Sequence, residues 1–181
     1  KLENRVSESA YCPEQSAIYQ KEVTVPGECS FTLEEPNVLV LDMAQYIVDN
    51  GTLQETEEIM RIDEKVRKQL GFTSRRTKVV QPWAIRGVPA DHSLKLIFRI
   101  LSRIDYREPM LAMENLEKSS VVWNGREVEA KCCGYYVDKY IHTMKLPPLQ
   151  SGENILEITI PFGLRTDLEN CYLLGNFGTA Y

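Results

Sequence analysis

The sequence predicts an all-β fold, an antiparallel sandwich or barrel carrying a single α-helix. Three observations predict it. Short runs of alternating apolar and polar residues recur along most of the chain, turn signals separate them at regular spacing, and the hydrophobic period becomes helical in one place only, between Glu55 and Leu70. With 181 residues, 43% of them hydrophobic and 26% charged, the chain can bury one substantial core and reads as a single domain over 1–181.

The N-terminal stretch, broken by Pro13, Pro26 and Gly27, holds two expected strands, Ala17–Val25 and Cys29–Leu33. Val38–Leu41 is a continuous apolar run, which predicts a strand buried on both faces, and Ala44–Val48 follows before the Asn50-Gly51 turn. The helix is expected over 55–70. Ile59, Ile62, Val66 and Leu70 form one apolar stripe, with Glu57, Glu64, Lys65 and Lys68 opposite. Thr52 and Glu55 have capping-box spacing, Arg67 and Lys68 suit the C-terminal dipole, and Gly71 stops the helix. Beyond Thr77 every element is a strand. In His92–Ser102, Leu94, Leu96, Phe98 and Ile100 alternate with polar residues; in Asn154–Pro161, Leu156, Ile158 and Ile160 do the same. Shorter strands are expected at Met110–Glu114, Ser119–Trp123, Tyr135–Val137, Thr143–Leu146 and Cys171–Leu174.

Composition excludes several classes of function. The formal net charge is -5, and basic residues are scattered apart from Arg75, Arg76 and Lys78, so neither nucleic acid nor an anionic membrane is an expected partner. No apolar run approaches the roughly 18 residues of a membrane span. No signal peptide opens the chain, and a start at Lys1 is expected of a piece of a larger protein or a mature product. Five cysteines (Cys12, Cys29, Cys132, Cys133 and Cys171) form neither an even disulfide set nor a C-x-x-C pair. They read as free thiols in a reducing, cytoplasm-like compartment.

Two turns stand in an informative relation. Val121-Val122-Trp123-Asn124-Gly125-Arg126-Glu127-Val128 is a hairpin, because Asn-Gly supplies both positive-φ residues of a type I′ turn. Some way on, Leu149-Gln150-Ser151-Gly152-Glu153-Asn154 launches the strand that follows. Together these segments resemble the sugar-binding domain of family 2 glycoside hydrolases, with Asn124 and Gly125 matching its Asn-Gly hairpin and Gly152 and Asn154 its G-x-N turn. Residues Glu34–Tyr46 and Cys171–Tyr181 are similar to pieces of large bacterial proteins related to that family and to α-L-rhamnosidase-like enzymes. The resemblance implies a jelly-roll sandwich of the galactose-binding-like class with the helix inserted in it. It also implies an accessory role beside the catalytic and other domains of one parent chain, where the catalytic carboxylates reside. Such a domain supports the catalytic domain and can contact carbohydrate.

The residues themselves mark no catalytic centre. Glycoside hydrolysis needs two carboxylates facing each other across the bond, and no motif singles out a pair. Asp42 and Glu169, next to strands, read as caps or ion-pair partners. His92 and His142 have no metal-ligand partner at helical or hairpin spacing, and neither a nucleophile elbow nor a phosphate loop occurs. No cofactor is expected. A structural calcium is compatible with this class of sandwich, although no ligand string marks it. Sugar binding would use an exposed ring beside polar groups. The candidates are Trp83, which reads first as a lid on the core, and Tyr135, Tyr136 and Asp138 with Tyr140 beyond. Alternation turns Tyr135 and Tyr136 to opposite faces, so one ring at most is available, and Trp123 is expected in the core. Two other readings remain: an autonomous carbohydrate-binding module, and a stand-alone enzyme, which would require a deep pocket with convergent carboxylates.

Overall fold

The computed structural model describes residues 34–74 and 88–179. The expected strands Ala17–Val25 and Cys29–Leu33, the Arg75, Arg76 and Lys78 cluster, Trp83, Cys12 and Cys29 lie outside the described residues.

The described residues form eleven strands and one α-helix: β1 (Asn37–Leu41), β2 (Met43–Val48), β3 (Gln54–Glu58), α1 (Ile59–Gln69), β4 (His92–Ser102), β5 (Met110–Glu114), β6 (Ser120–Trp123), β7 (Arg126–Val128), β8 (Gly134–Tyr136), β9 (Asp138–Lys145), β10 (Gly152–Phe162) and β11 (Cys171–Gly175). They build two antiparallel sheets, ordered β1-β11-β5-β9-β8 and β3-β2-β4-β10-β6-β7. Leu111, Met113, Met144 and Leu173 of the first sheet share one core with Leu94, Leu96, Phe98, Leu156, Ile158 and Phe162 of the second, each at most 2% exposed. Two open sheets around a common core are a sandwich; a closed barrel would leave no edge strands. No helix among the described residues is long and apolar enough to cross a membrane.

The alternation predicted for β4 and β10 is the reason they pair. They match along eleven positions, from Gly152 opposite Ser102 to Phe162 opposite His92, so both apolar faces point the same way. Burying each large side chain there contributes about 1.5–3 kcal/mol. The Asn124-Gly125 hairpin forms with φ of 49° and 76°, pairing Val121 with Val128 and Trp123 with Arg126. Trp123 is 2% exposed, and its Nε1 donates to the Pro148 carbonyl at 3.4 Å.

Three elements depart from expectation. β9 begins at Asp138, not Thr143, because Val137, expected to end the strand before it, takes φ 58° and turns the chain back. β1 is an edge strand, so it buries Leu41 while Val40 faces outward at 38% exposure; an apolar run cannot tell edge from centre. The helix begins at Ile59, not near Glu55. Gln54–Glu58 pairs instead with β2 as β3, sheet pairing overriding local helical preference. The cap is therefore Glu58, whose carboxylate accepts from the Met60 and Arg61 amides at 3.0 and 3.1 Å. At the other end Gly71, at φ 71°, allows the Phe72 amide to reach the Arg67 carbonyl at 2.8 Å and the Gly71 amide to reach Lys68, a Schellman ending. Arg67 does not serve the dipole from the surface. It is 2% exposed and lies 2.8 Å from buried Asp63, with its other nitrogens donating to the Leu164 and Thr166 carbonyls.

Candidate functional site

Along β9, Asp138, Tyr140, His142 and Met144 share one face of the strand. Met144 is fully buried in the core. Toward the start of the strand the same face leaves the core, and His142, Tyr140 and Asp138 line a cleft of about 830 Å³. Glu114 ends β5, and Asn115, at φ 53°, turns the chain into the 3-10 turn Leu116–Lys118. Leu116 is fully buried and anchors that turn, so that Glu117 and Lys118 stand on the cleft wall.

The other sheet contributes Ile160 and Pro161 from β10, followed by Arg165, Thr166 and Asp167. This last segment has two fastenings. The Thr166 hydroxyl accepts from the Gly163 amide at 2.9 Å and donates to the Pro161 carbonyl at 3.1 Å. From the helix, Arg67 donates to the Leu164 and Thr166 carbonyls while its guanidinium carbon lies 5.7 Å from the Phe162 ring centre. The helix thus holds one wall of the cleft.

Four carboxylates (Glu114, Glu117, Asp138 and Asp167) face this space with Lys118, Arg165, His142 and the Asn115 amide. Asp138 accepts the Tyr140 amide at 2.8 Å, and Tyr140 presents its ring at 65% exposure. Such a surface offers acceptors and donors for a polyhydroxylated ligand and one apolar face for a sugar ring.

Of the residues singled out in sequence, Asp138 lines the cleft and Tyr140 joins it. Tyr135 and Tyr136 lie outside it. Tyr135 is 67% exposed on β8, whereas Tyr136 is half-buried, its ring 5.7 Å from that of Tyr172. Burial pushes the Tyr172 phenol above its ordinary range, with the Glu169 charge adding to the effect. Val137, between the two hairpin strands, takes φ 58° and is 83% exposed.

A second grouping was not foreseen. Glu117, Cys132 and His142 bring a carboxylate oxygen, a thiol sulfur and a ring nitrogen within 4.8 Å of one another. His142, which had no partner at a recognisable spacing, has its Nδ1 2.5 Å from Glu117 Oε1. That contact is out of line for a directed hydrogen bond, and Nδ1 is itself shielded from solvent. The one signal in sequence was that Cys132 and His142 fall ten residues apart across the β8–β9 hairpin; Glu117 arrives from another strand connection altogether.

The two turns of the sequence resemblance meet in space. Asn124 Nδ2 donates to Asn154 Oδ1 at 3.1 Å, and Asn124 Oδ1 accepts the Ile155 amide at 2.8 Å. Asn154, fully buried, also accepts the Gln150 amide at 3.0 Å and donates to the Gln150 carbonyl at 2.7 Å.

No family model matches the chain, and no curated protein matches it. Among solved structures it is similar to the GH31 alpha-xylosidase from Xanthomonas citri, at 12% identity and a TM-score of 0.32, over 77% of this chain and 15% of that one. The chain thus spans under a sixth of the xylosidase's length, and the likeness is a distant one.

Proposed function

We propose that this chain is a non-catalytic accessory domain of a larger glycoside hydrolase, a jelly-roll of the galactose-binding-like class whose cleft contacts carbohydrate. The observation that carries the reading is the cleft itself, where the exposed Tyr140 ring stands beside Asp138 and a wall of carboxylate, amide and guanidinium groups. A sugar would lay its C–H face on the ring and share its hydroxyls among the polar groups. The fold assignment is supported by the Asn124–Asn154 bond, which joins the two turns of the sequence resemblance, and by the last two strands, each paired between two earlier ones. The partners are the other domains of the parent chain, which would supply the catalytic carboxylates; the cleft acids hold and orient the sugar.

A second reading, an autonomous carbohydrate-binding module, is favoured by the exposure of Tyr140 and Tyr135. One experiment separates the two. The 181-residue chain is screened on a glycan array, and hits are measured by calorimetry with Tyr140→Ala beside the wild type. Binding by the isolated chain, weakened about tenfold by Tyr140→Ala (roughly 1.4 kcal/mol), favours the autonomous module. Binding seen only when the chain is joined to its parent supports the accessory role. A glycan bound with full affinity by Tyr140→Ala overturns the assignment of the cleft.

A further inference from the structure

We infer that Glu117, Cys132 and His142 form a binding site for a borderline-soft divalent ion of the zinc class. The site stands on the wall of the cleft, and the inference holds whether or not the cleft takes a sugar. Three observations carry it. The donor atoms, one from each of three separate segments, already lie within 4.8 Å of one another. The shielded His142 Nδ1 lies 2.5 Å from Glu117 Oε1 without a directed hydrogen bond, and once that contact opens its lone pair serves a ligand in the tautomer that places the proton on Nε2. Two members, Glu117 and His142, line the cleft, while Cys132 approaches from the segment before β8, so an ion among them would be reachable from solvent.

The chemistry of the donors selects the ion. Thiolate and imidazole are poor ligands for calcium or magnesium, which take oxygen, but together with one carboxylate they suit zinc and its tetrahedral relatives. This donor set therefore differs from the structural calcium that the sequence class allowed. Zinc bonds of about 2.0 Å to nitrogen and oxygen separate two ligands by roughly 3.3 Å. The 2.5 Å contact between His142 and Glu117 would have to open, and the Glu117 side chain, 53% exposed, has room to swing. Cys132 Sγ now rests 3.3 Å from the Gly134 carbonyl, a weak hydrogen bond that a metal–thiolate bond would replace. Binding would expel the thiol proton, so affinity would rise with pH. Three protein ligands leave one position for water or for a hydroxyl of whatever the cleft holds.

The test titrates the whole chain with Co²⁺, whose thiolate complexes absorb in the near ultraviolet, and then displaces it with Zn²⁺. The expected result is one equivalent bound with a thiolate-to-cobalt band, lost in Cys132→Ser and retained in Cys133→Ser. His142→Gln should weaken binding at least about tenfold, the scale on which even outer ligand partners act. Because a variant can misfold, zinc protection of Cys132 from alkylation in the wild type, read by peptide mass spectrometry, provides a measurement without substitution. Absence of the thiolate band, its persistence in Cys132→Ser, or equal alkylation of Cys132 with and without zinc would each overturn the proposal.

Discussion

Asn154 makes four hydrogen bonds from a fully buried side chain, two to Gln150 and one each to Asn124 and the Gly152 carbonyl. Its removal takes that partner from the Gln150 amide and carbonyl and from the Asn124 amide, groups of exposed residues that water can partly satisfy. Asn154→Ala should therefore lower stability by about 1–3 kcal/mol, measured by urea unfolding with the slope unchanged. Part of this was readable in sequence. The Asn-Gly pair dictates its own turn, and Gly152, at φ 103°, marks the second, but nothing local says that two amides thirty residues apart meet. The aromatic candidates show the same boundary. Alternation separates Tyr135 from Tyr136, yet which ring stays exposed depends on Tyr172, a neighbour from the far end of the chain.

At the scale of elements, long periodic segments were the readable ones. β4 has the bounds expected from its alternation, and β10 extends slightly beyond both expected ends. The apolar stripe of the helix was equally plain, but its first turn was not, because the pairing of β3 with β2 is a tertiary fact. Nor could the sequence show that Arg67 turns inward. There it joins α1 to the cleft wall, and its loss takes a 2.8 Å charged contact from the buried Asp63 carboxylate. Arg67→Met should cost about 3–5 kcal/mol, and the double variant with Asp63→Leu should recover part of it in thermal unfolding, the bonds to the Leu164 and Thr166 carbonyls staying lost. The junction of β2 with β4 adds a dependence on pH. Asp49 accepts the Ser93 amide at 2.8 Å and faces His92 Nδ1 at 2.9 Å, and these two contacts, the amide first, hold its carboxyl below the ordinary aspartate range. A depressed folded pKa means stability present above the unfolded value, about 3.9, and lost as pH falls through the folded one. Glu57, held down chiefly by its hydrogen bond to Lys65, acts in the same direction. Unfolding midpoints followed from neutral pH into acid should fall less steeply for Asp49→Asn than for wild type.

For the whole molecule, strand alternation implied two buried faces but not the order of strands within each sheet. The cleft arises from that order. β9 lies beside β5, which brings Tyr140 and His142 near Glu114 and Glu117, while β10 carries the opposing wall across the core. No spacing in the sequence encodes this meeting, so Asp138 was found as part of an aromatic cluster while Asn115, Arg165 and Asp167 were missed. Contact between this cleft and carbohydrate is tested by amide chemical-shift mapping of the ¹⁵N-labelled chain during titration with glycans from the array. Saturable shifts gathered at Asn115, Asp138, Tyr140 and Arg165 are expected of a cleft that holds a sugar. Saturable shifts confined to the Tyr135–Val137 tip or the outer sheet faces, with the cleft residues unmoved, would contradict it.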